Sequence, residues 1–398
     1  MPLYRGWRVA LAGAGVNFLV GINYTWSIFA TGLVEQKGWT HPQAALPYSL
    51  FLFCYAFSMV SAGRAQDYFG PRPVVSIGSL FAGGAFISCA FFLDYPFPAG
   101  ILWGLLLGIG LACCFSSTTP AAMKWFSPEK KGMVAGLVVT STGLAALIMS
   151  PLIQLMVQRD TAEAFLFSGL ALTAGIFIFA QFIENPRLKI RDLRDLPVSR
   201  KRFSVLLDPQ LYRLWLMFFL TTGCGVTIAA HLNNIMRVQA GYEKGYIAVA
   251  IFAFCNAAGR IVWGLLSDRI GRVRTMTIVF STLAITLACL MMAQTPLILI
   301  LAVSILALSY GGLYSIFPSA AVSFFGESNF GLNYGLIFTG LGAAGIFPYL
   351  GGVLFELQGN YISIYALLLL TTLGAVMLSL KIKNSFQDQR PKAIKMLF

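Results

Sequence analysis

The sequence predicts an all-α membrane protein of twelve transmembrane helices, arranged as two pseudo-symmetric six-helix halves. Three observations carry that prediction. The 398-residue chain is 58% hydrophobic and 11% charged, with a mean hydropathy of +0.76. Soluble domains carry about 25% charged residues. Apolar stretches of helix length recur along the whole chain, each long enough for a hydrocarbon layer about 30 Å thick. Finally, the loop chemistry after the second stretch returns after the eighth, at an offset of 201 residues.

In order, the expected spans are 7–34, 43–63, 73–93, 98–123, 132–157, 162–183, 211–237, 245–266, 274–293, 295–324, 332–356 and 361–381. The first lacks a small-residue cleavage site and is too long for a signal peptide, so it is read as a retained helix. The expected division is an N-terminal half (1–183), a polar cytoplasmic linker (184–210), a C-terminal half (211–383) and a cytoplasmic tail (384–398). With both termini inside, 23 of the 28 Lys and Arg fall on the inner side. Lys37, Arg159, Arg237 and Lys244 fall outside, and Arg260 lies within a span. The positive-inside rule therefore places both termini in the cytoplasm of a multi-pass inner (plasma) membrane protein. The net charge of +13 then points to anionic lipid headgroups as partner, not nucleic acid. The seven cysteines all lie in apolar stretches and form no CxxC pair, so they read as small buried hydrophobes and no metal is expected. No cofactor is expected either, and a P-loop is missing, so ATP is not the driving force.

The repeat is specific. GRAQDYFGPRP (63–73) follows span two and GLLSDRIGRVR (264–274) follows span eight; PAAMKWF (120–126) and PSAAVSFF (318–325) end spans four and ten. Two parallel repeats around a central cavity form an alternating-access architecture. On these residues the whole chain resembles the major facilitator superfamily. Gly63, Asp67, Gly70 and Arg72 resemble its loop signature, repeated at Asp268, Arg269, Gly271 and Arg272. Tyr68 stands where Arg is usual, and Pro71 precedes Arg72. The resemblance implies that Asp67, Arg72, Asp268 and Arg272 form a conformational gate that latches the cytoplasmic side in the outward-open state. A local reason is that acids near a helix N-terminus are favourable and Gly permits a tight turn.

Arg260 is the one charged side chain placed deep in a span. It lies eight residues inside Asp268, about 12 Å at 1.5 Å per residue. A guanidinium at that depth costs about 3 kcal/mol or more and is by default a functional-site hypothesis. No acid falls within the membrane interior to neutralise it. It is always charged and planar, suited to holding a carboxylate bidentately.

GINYTWSIFA (21–30), MKWFSPEKKGMVAG (123–136), AGRIVWGLLSDRIGR (258–272), GGLYSIFPSAAVSFFG (311–326) and NYGLIF (333–338) resemble bacterial oxalate–formate exchangers and related monocarboxylate carriers. That resemblance implies that Arg260 binds substrate carboxylate, with pocket aromatics at Phe115, Tyr310 and Tyr314. The oxalate exchanger also has a helix-11 lysine, where this chain has Leu341; one cation remains, matching a monocarboxylate. Proton-linked animal-type monocarboxylate carriers have Asp one turn before the arginine, where this chain has Asn256. Asn23 and Tyr24 of span one are further pocket candidates. His231, with Asn234 one turn on, is the only group inside a span with a neutral-range pKa and the candidate for proton coupling.

The leading expectation is a secondary active transporter of small monocarboxylates, lactate- or pyruvate-like, working as a monomer and proton-linked. The alternatives are an oxalate/formate-type anion exchanger and a non-translocating membrane sensor; coupling stays open between proton symport, through His231 or the substrate itself, anion exchange and uniport. A sensor would be expected to append a signalling domain, whereas about fifteen residues follow the last span. An enzyme is not expected, because no intramembrane His/Glu cluster or Ser–Lys pair occurs.

Overall fold

The computed structural model describes residues 2–186, 204–325 and 330–382. Most of the expected linker and all of the tail from 383 lie outside them, as do the domain boundaries drawn there. Among the described residues twelve helices are long and apolar enough to cross a membrane, and no strand occurs. They are α1 (Tyr4–Lys37), α2 (His41–Phe69), α3 (Pro71–Phe92), α4 (Pro96–Met123), α5 (Gly136–Arg159) and α6 (Thr161–Ala180). The second half comprises α7 (Pro209–Ala240), α8 (Gly245–Ile270), α9 (Arg272–Met292), α10 (Pro296–Phe325), α11 (Asn333–Gln358) and α12 (Ile362–Lys381). An even number of crossings puts both chain ends on one face, here the terminal face; the other is the distal face. Arg8 and Glu184 pair at 2.8 Å and tie the start of α1 to the end of α6 on the terminal face.

Local chemistry sets the helix ends. The Thr40 side chain accepts from Gln43 N–H while the Gln43 side chain accepts from Thr40 N–H, a capping box that starts α2. Asp160 and Asp208 accept from backbone N–H groups at the starts of α6 and α7. The repeat reappears as backbone geometry. Gly70 and Gly271 have φ of 82° and 93°, a region open to glycine, and donate to Gln66 O and Ser267 O at 3.0 and 3.1 Å.

One expectation needs correction. The stretches from 63 and from 264 were expected as loops, but α2 and α8 run on to Phe69 and Ile270. The helices emerge into the interfacial layer with polar side chains and continue until the positive-φ glycine. Asp67 and Asp268 therefore sit in the last turn of a helix, not at the start of one. The N-caps of α3 and α9 are Gly70 and Gly271, with no side-chain cap bond. These acids therefore gain nothing from a helix N-terminus.

Two helices are interrupted. α1 winds as a 3-10 turn over Gly21–Thr25, and α11 turns at Gly345 between Phe330–Ala344 and Ile346–Gln358. At Gly21 a Cβ would lie 2.4 Å from Thr142 O of α5, so close helix contact requires glycine there.

The halves meet unevenly. Along α11, a Cβ at Gly352 would lie 2.8 Å from His41 O, and one at Gly345 2.7 Å from Ser49 O. Toward the terminal face the gap widens: a Cβ at Gly342 would sit 3.0 Å from Ala56, and at Gly335 3.3 Å from Val60. On α5, a Cβ at Gly143 would meet Ala257 at 2.4 Å, while two turns nearer the terminal face Gly136 has nothing within 4 Å. The halves pack most tightly on the distal side; toward the terminal side α2 and α11 still touch at Val60 and Gly335, while α5 leaves open space at Gly136.

Candidate functional site

Arg260 lies midway along α8, where the two halves come together. Its side chain is partly exposed although the helix is embedded. Among the described residues no carboxylate pairs with it. One terminal nitrogen donates to Tyr24 Oη and to Asn256 Oδ1, both at a long 3.4 Å. The guanidinium stands over the Tyr314 ring at 5.0 Å, within cation–π range. Its Nε is buried with no hydrogen-bond partner. The positive charge is thus held in place by neutral groups and left uncompensated.

The 3-10 turn of α1 supplies Tyr24, whose hydroxyl donates to Asn256 Oδ1 at 3.1 Å across the halves. Asn256 is buried, its oxygen taken by these donors and its Nδ2 unpartnered. Asn23 Oδ1, beside Tyr24 in the same turn, is also buried and unpartnered. An interrupted helix that presents polar groups at mid-membrane is a recurrent way to build a carrier site. From α10, Tyr310 and Tyr314 share a hydroxyl–hydroxyl hydrogen bond of 2.6 Å. Close backbone contact fixes α8 against α10: a Cβ on Gly311 would lie 1.9 Å from Asn256 O, and one on Gly259 1.9 Å from Leu308 O.

The structure thus gathers Arg260, Asn256, Tyr24, Tyr310 and Tyr314 into one cluster, with Asn23 in the adjoining turn. Phe115 joins at one remove, edge-on to Tyr55 at 6.4 Å. Tyr55 packs on Phe338 at 5.9 Å, and Phe338 lies 6.4 Å from Tyr314. Sequence reasoning missed Tyr55, Phe338 and Tyr334, which complete the aromatic wall on the terminal side. Their signal was spacing: Tyr48 and Tyr55 lie two turns apart on α2, and Tyr334 and Phe338 one turn apart on α11. Leu341 is buried in the core of α11.

His231 is elsewhere. Its Nε2 lies 2.8 Å from Pro348 O, so that nitrogen carries the hydrogen, and Nδ1 faces the Tyr361 hydroxyl at 3.5 Å. Asn234 donates to the same hydroxyl at 2.8 Å. His231 and Asn234 thus form a bonded group with α11 and α12, apart from the Arg260 cluster. The four expected gate charges bond within their own halves. Arg272 pairs with Asp268 at 3.7 Å, Arg72 donates to Gln181 O, and Asp67 accepts from Gln66 at 2.8 Å.

Comparison with known proteins agrees with this architecture. The Oxalate:formate antiporter of Oxalobacter formigenes is 28% identical over 353 residues, spanning 86% of this chain and 83% of that protein. Apicoplast pyruvate carrier 1 of Toxoplasma gondii is 26% identical over 352 residues, spanning 70% of this chain and 63% of that protein. A solved structure of the xylose transporter XylE from E. coli, in a partially occluded inward-open conformation, matches with a TM-score of 0.74 at 11% identity. That match spans 95% of this chain and 98% of XylE, and it speaks to the fold alone. The sequence profile of the Major Facilitator Superfamily matches residues 11–347 and, a second time, 243–395. With twelve membrane-length helices, a repeated turn geometry and that profile over most of its length, the chain belongs to the Major Facilitator Superfamily.

Proposed function

We propose that this protein is a secondary carrier of small monocarboxylate anions, lactate- or pyruvate-like, working by alternating access and proton-linked. The observation that carries the reading is Arg260: a guanidinium midway along α8 with no carboxylate partner among the described residues, set where the halves meet. A bound carboxylate supplies the missing charge and takes up the orphaned Nε. A single cation in the site balances a single negative charge, and Leu341 adds none. The aromatic rings beside Arg260 lower the local dielectric, which strengthens the ion pair. The terminal face is the cytoplasmic one, because it collects the basic loops.

A second reading, exchange of one organic anion for another, is favoured by a specific observation. Asn256 beside Arg260 cannot take a proton, and His231 is already satisfied as a neutral ring. The antiporter named above is among the relatives.

The test is uptake of radiolabelled L-lactate, pyruvate, formate and oxalate into proteoliposomes, with and without an inward proton gradient. Lactate or pyruvate uptake that rises with the gradient supports proton-linked carriage. Uptake that ignores the gradient and needs anion inside supports exchange. Arg260→Ala removes one partner of a buried charge pair, worth about 2–5 kcal/mol, so affinity falls roughly thirtyfold or more. Unchanged uptake by Arg260→Ala would overturn both readings.

A further inference from the structure

The distal face carries polar contacts between the halves that the Arg260 site does not use. Glu35, near the end of α1, pairs with Arg237 at the end of α7. One turn deeper, Asn233 Nδ2 donates to Thr31 Oγ1 at 3.0 Å. In the opposite sense, Glu356 of α11 accepts the backbone N–H of His41, at the start of α2, at 3.1 Å. Each half thus sends one carboxylate across to the other. On the terminal face no ion pair joins the halves among the described residues.

These contacts border a small cleft, open to the surface, between α1, α2 and α7. Its lining includes Ser27, Glu35, His41, His231 and Arg237. Ser27 is 1% exposed, and its Oγ has no hydrogen-bond partner. A buried hydroxyl left unsatisfied in the wall of a cleft is a group that entering water would satisfy and a permanently packed wall would not. Arg237 also has a second acid within its own half: its Nε lies 4.0 Å from Glu243 Oε1. When α1 and α7 part, Arg237 keeps a partner, so breaking the cross-half pair leaves no isolated cation.

We propose that Glu35–Arg237, backed by Glu356 on the His41 amide and Asn233 on Thr31, is the distal gate of this protein. The cleft beneath it is the passage through which the Arg260 site opens to the distal side. This rests on the carrier reading, but its test needs no transported substrate.

The experiment uses the full-length protein in nanodiscs, with two single-cysteine reporters compared against the parent, whose native cysteines set the background. Ser27→Cys reports on the distal passage. Gly136→Cys reports on the terminal opening, because it lies on the same face of α5 as Gly143, two turns nearer that side. The rate of reaction with a bulky charged maleimide is measured with Glu35 and Arg237 intact, with Glu35→Gln, with Arg237→Gln, and with both. Either single change is expected to raise Ser27→Cys labelling severalfold and to lower Gly136→Cys labelling. The double change is expected to do no more than either single, because the two residues act as one pair.

Labelling unchanged at both positions would overturn the proposal. So would a rise at both, which means general loosening, or additive effects in the double variant. The same gate shift with no anion transported in vesicles would leave the gate standing and refute the carrier reading alone.

Discussion

Arg260 could be found from sequence because a charge within an apolar run has no inexpensive explanation. Composition could not single out its aromatic neighbours, since 15 Tyr and 33 Phe occur in the chain; the family resemblance reaches Tyr310 and Tyr314 but not Tyr55, Phe338 or Tyr334. Helical spacing marks Tyr55 and Phe338 as sharing a face with other aromatics, but what that face meets depends on tertiary packing. Asn256 was singled out for the acid it lacks; the structure adds that its oxygen is shared by Tyr24 and Arg260 while its nitrogen is unpartnered. This arrangement makes a residue-scale prediction. Asn256→Asp would set a carboxylate against the guanidinium, neutralising the cation that awaits the substrate. An anion could then bind only if a proton neutralised the new acid. Anion uptake by Asn256→Asp in proteoliposomes should therefore drop at pH 7.5 and recover as the pH is lowered, relative to wild type. A pH profile parallel to that of wild type would mean that Asn256 does not govern the charge of Arg260.

At the scale of helices, the spans were legible because each is a long apolar run between punctuating residues, and the observed ends differ mainly at α2 and α8. Those helices persist into the polar signature until a positive-φ glycine stops them, and hydropathy falls before helicity does. The breaks in α1 and α11 were not legible. GINYT contains no proline, and the close packing of Gly21 against α5 that accompanies its 3-10 winding is a contact between distant segments. The contact of α8 with α10 sets the distance between Arg260 and its tyrosines. Gly311→Ala would force a methyl into Asn256 O and push the two helices apart. Overpacking of this kind costs about 1–3 kcal/mol. The expected result is a lower melting temperature in detergent and loss of the stabilisation that a bound monocarboxylate provides. If Gly311→Ala melts and binds like wild type, the two helices are less tightly coupled than the structure indicates.

At the scale of the whole molecule, the sequence is nearly symmetric where the structure is not. The repeated turns at Gly70 and Gly271, and the prolines inside α4 and α10 at Pro120 and Pro318, describe two equivalent halves. They say nothing about which face is closed. That information resides in pairs of residues far apart in the chain, each unremarkable alone: Glu35 with Arg237, Glu356 with the His41 amide, Thr31 with Asn233. An alternating-access cycle requires such contacts to be temporary, since a site that never opens to the distal face cannot move anything across. The Thr31–Asn233 bond offers a direct test, because its side chains meet across the halves at 3.0 Å. In the double variant Thr31→Cys with Asn233→Cys, a short thiol-specific cross-linker should join the halves and hold the distal face shut. Transport should then stop and return when a reducible linker is cleaved. Binding of the anion from the terminal side, followed by its effect on melting temperature, should survive, because the Arg260 cluster is already assembled in this state. Transport that continues at full rate in the cross-linked protein would mean that these helices need not part, and the alternating-access account of this chain would fail.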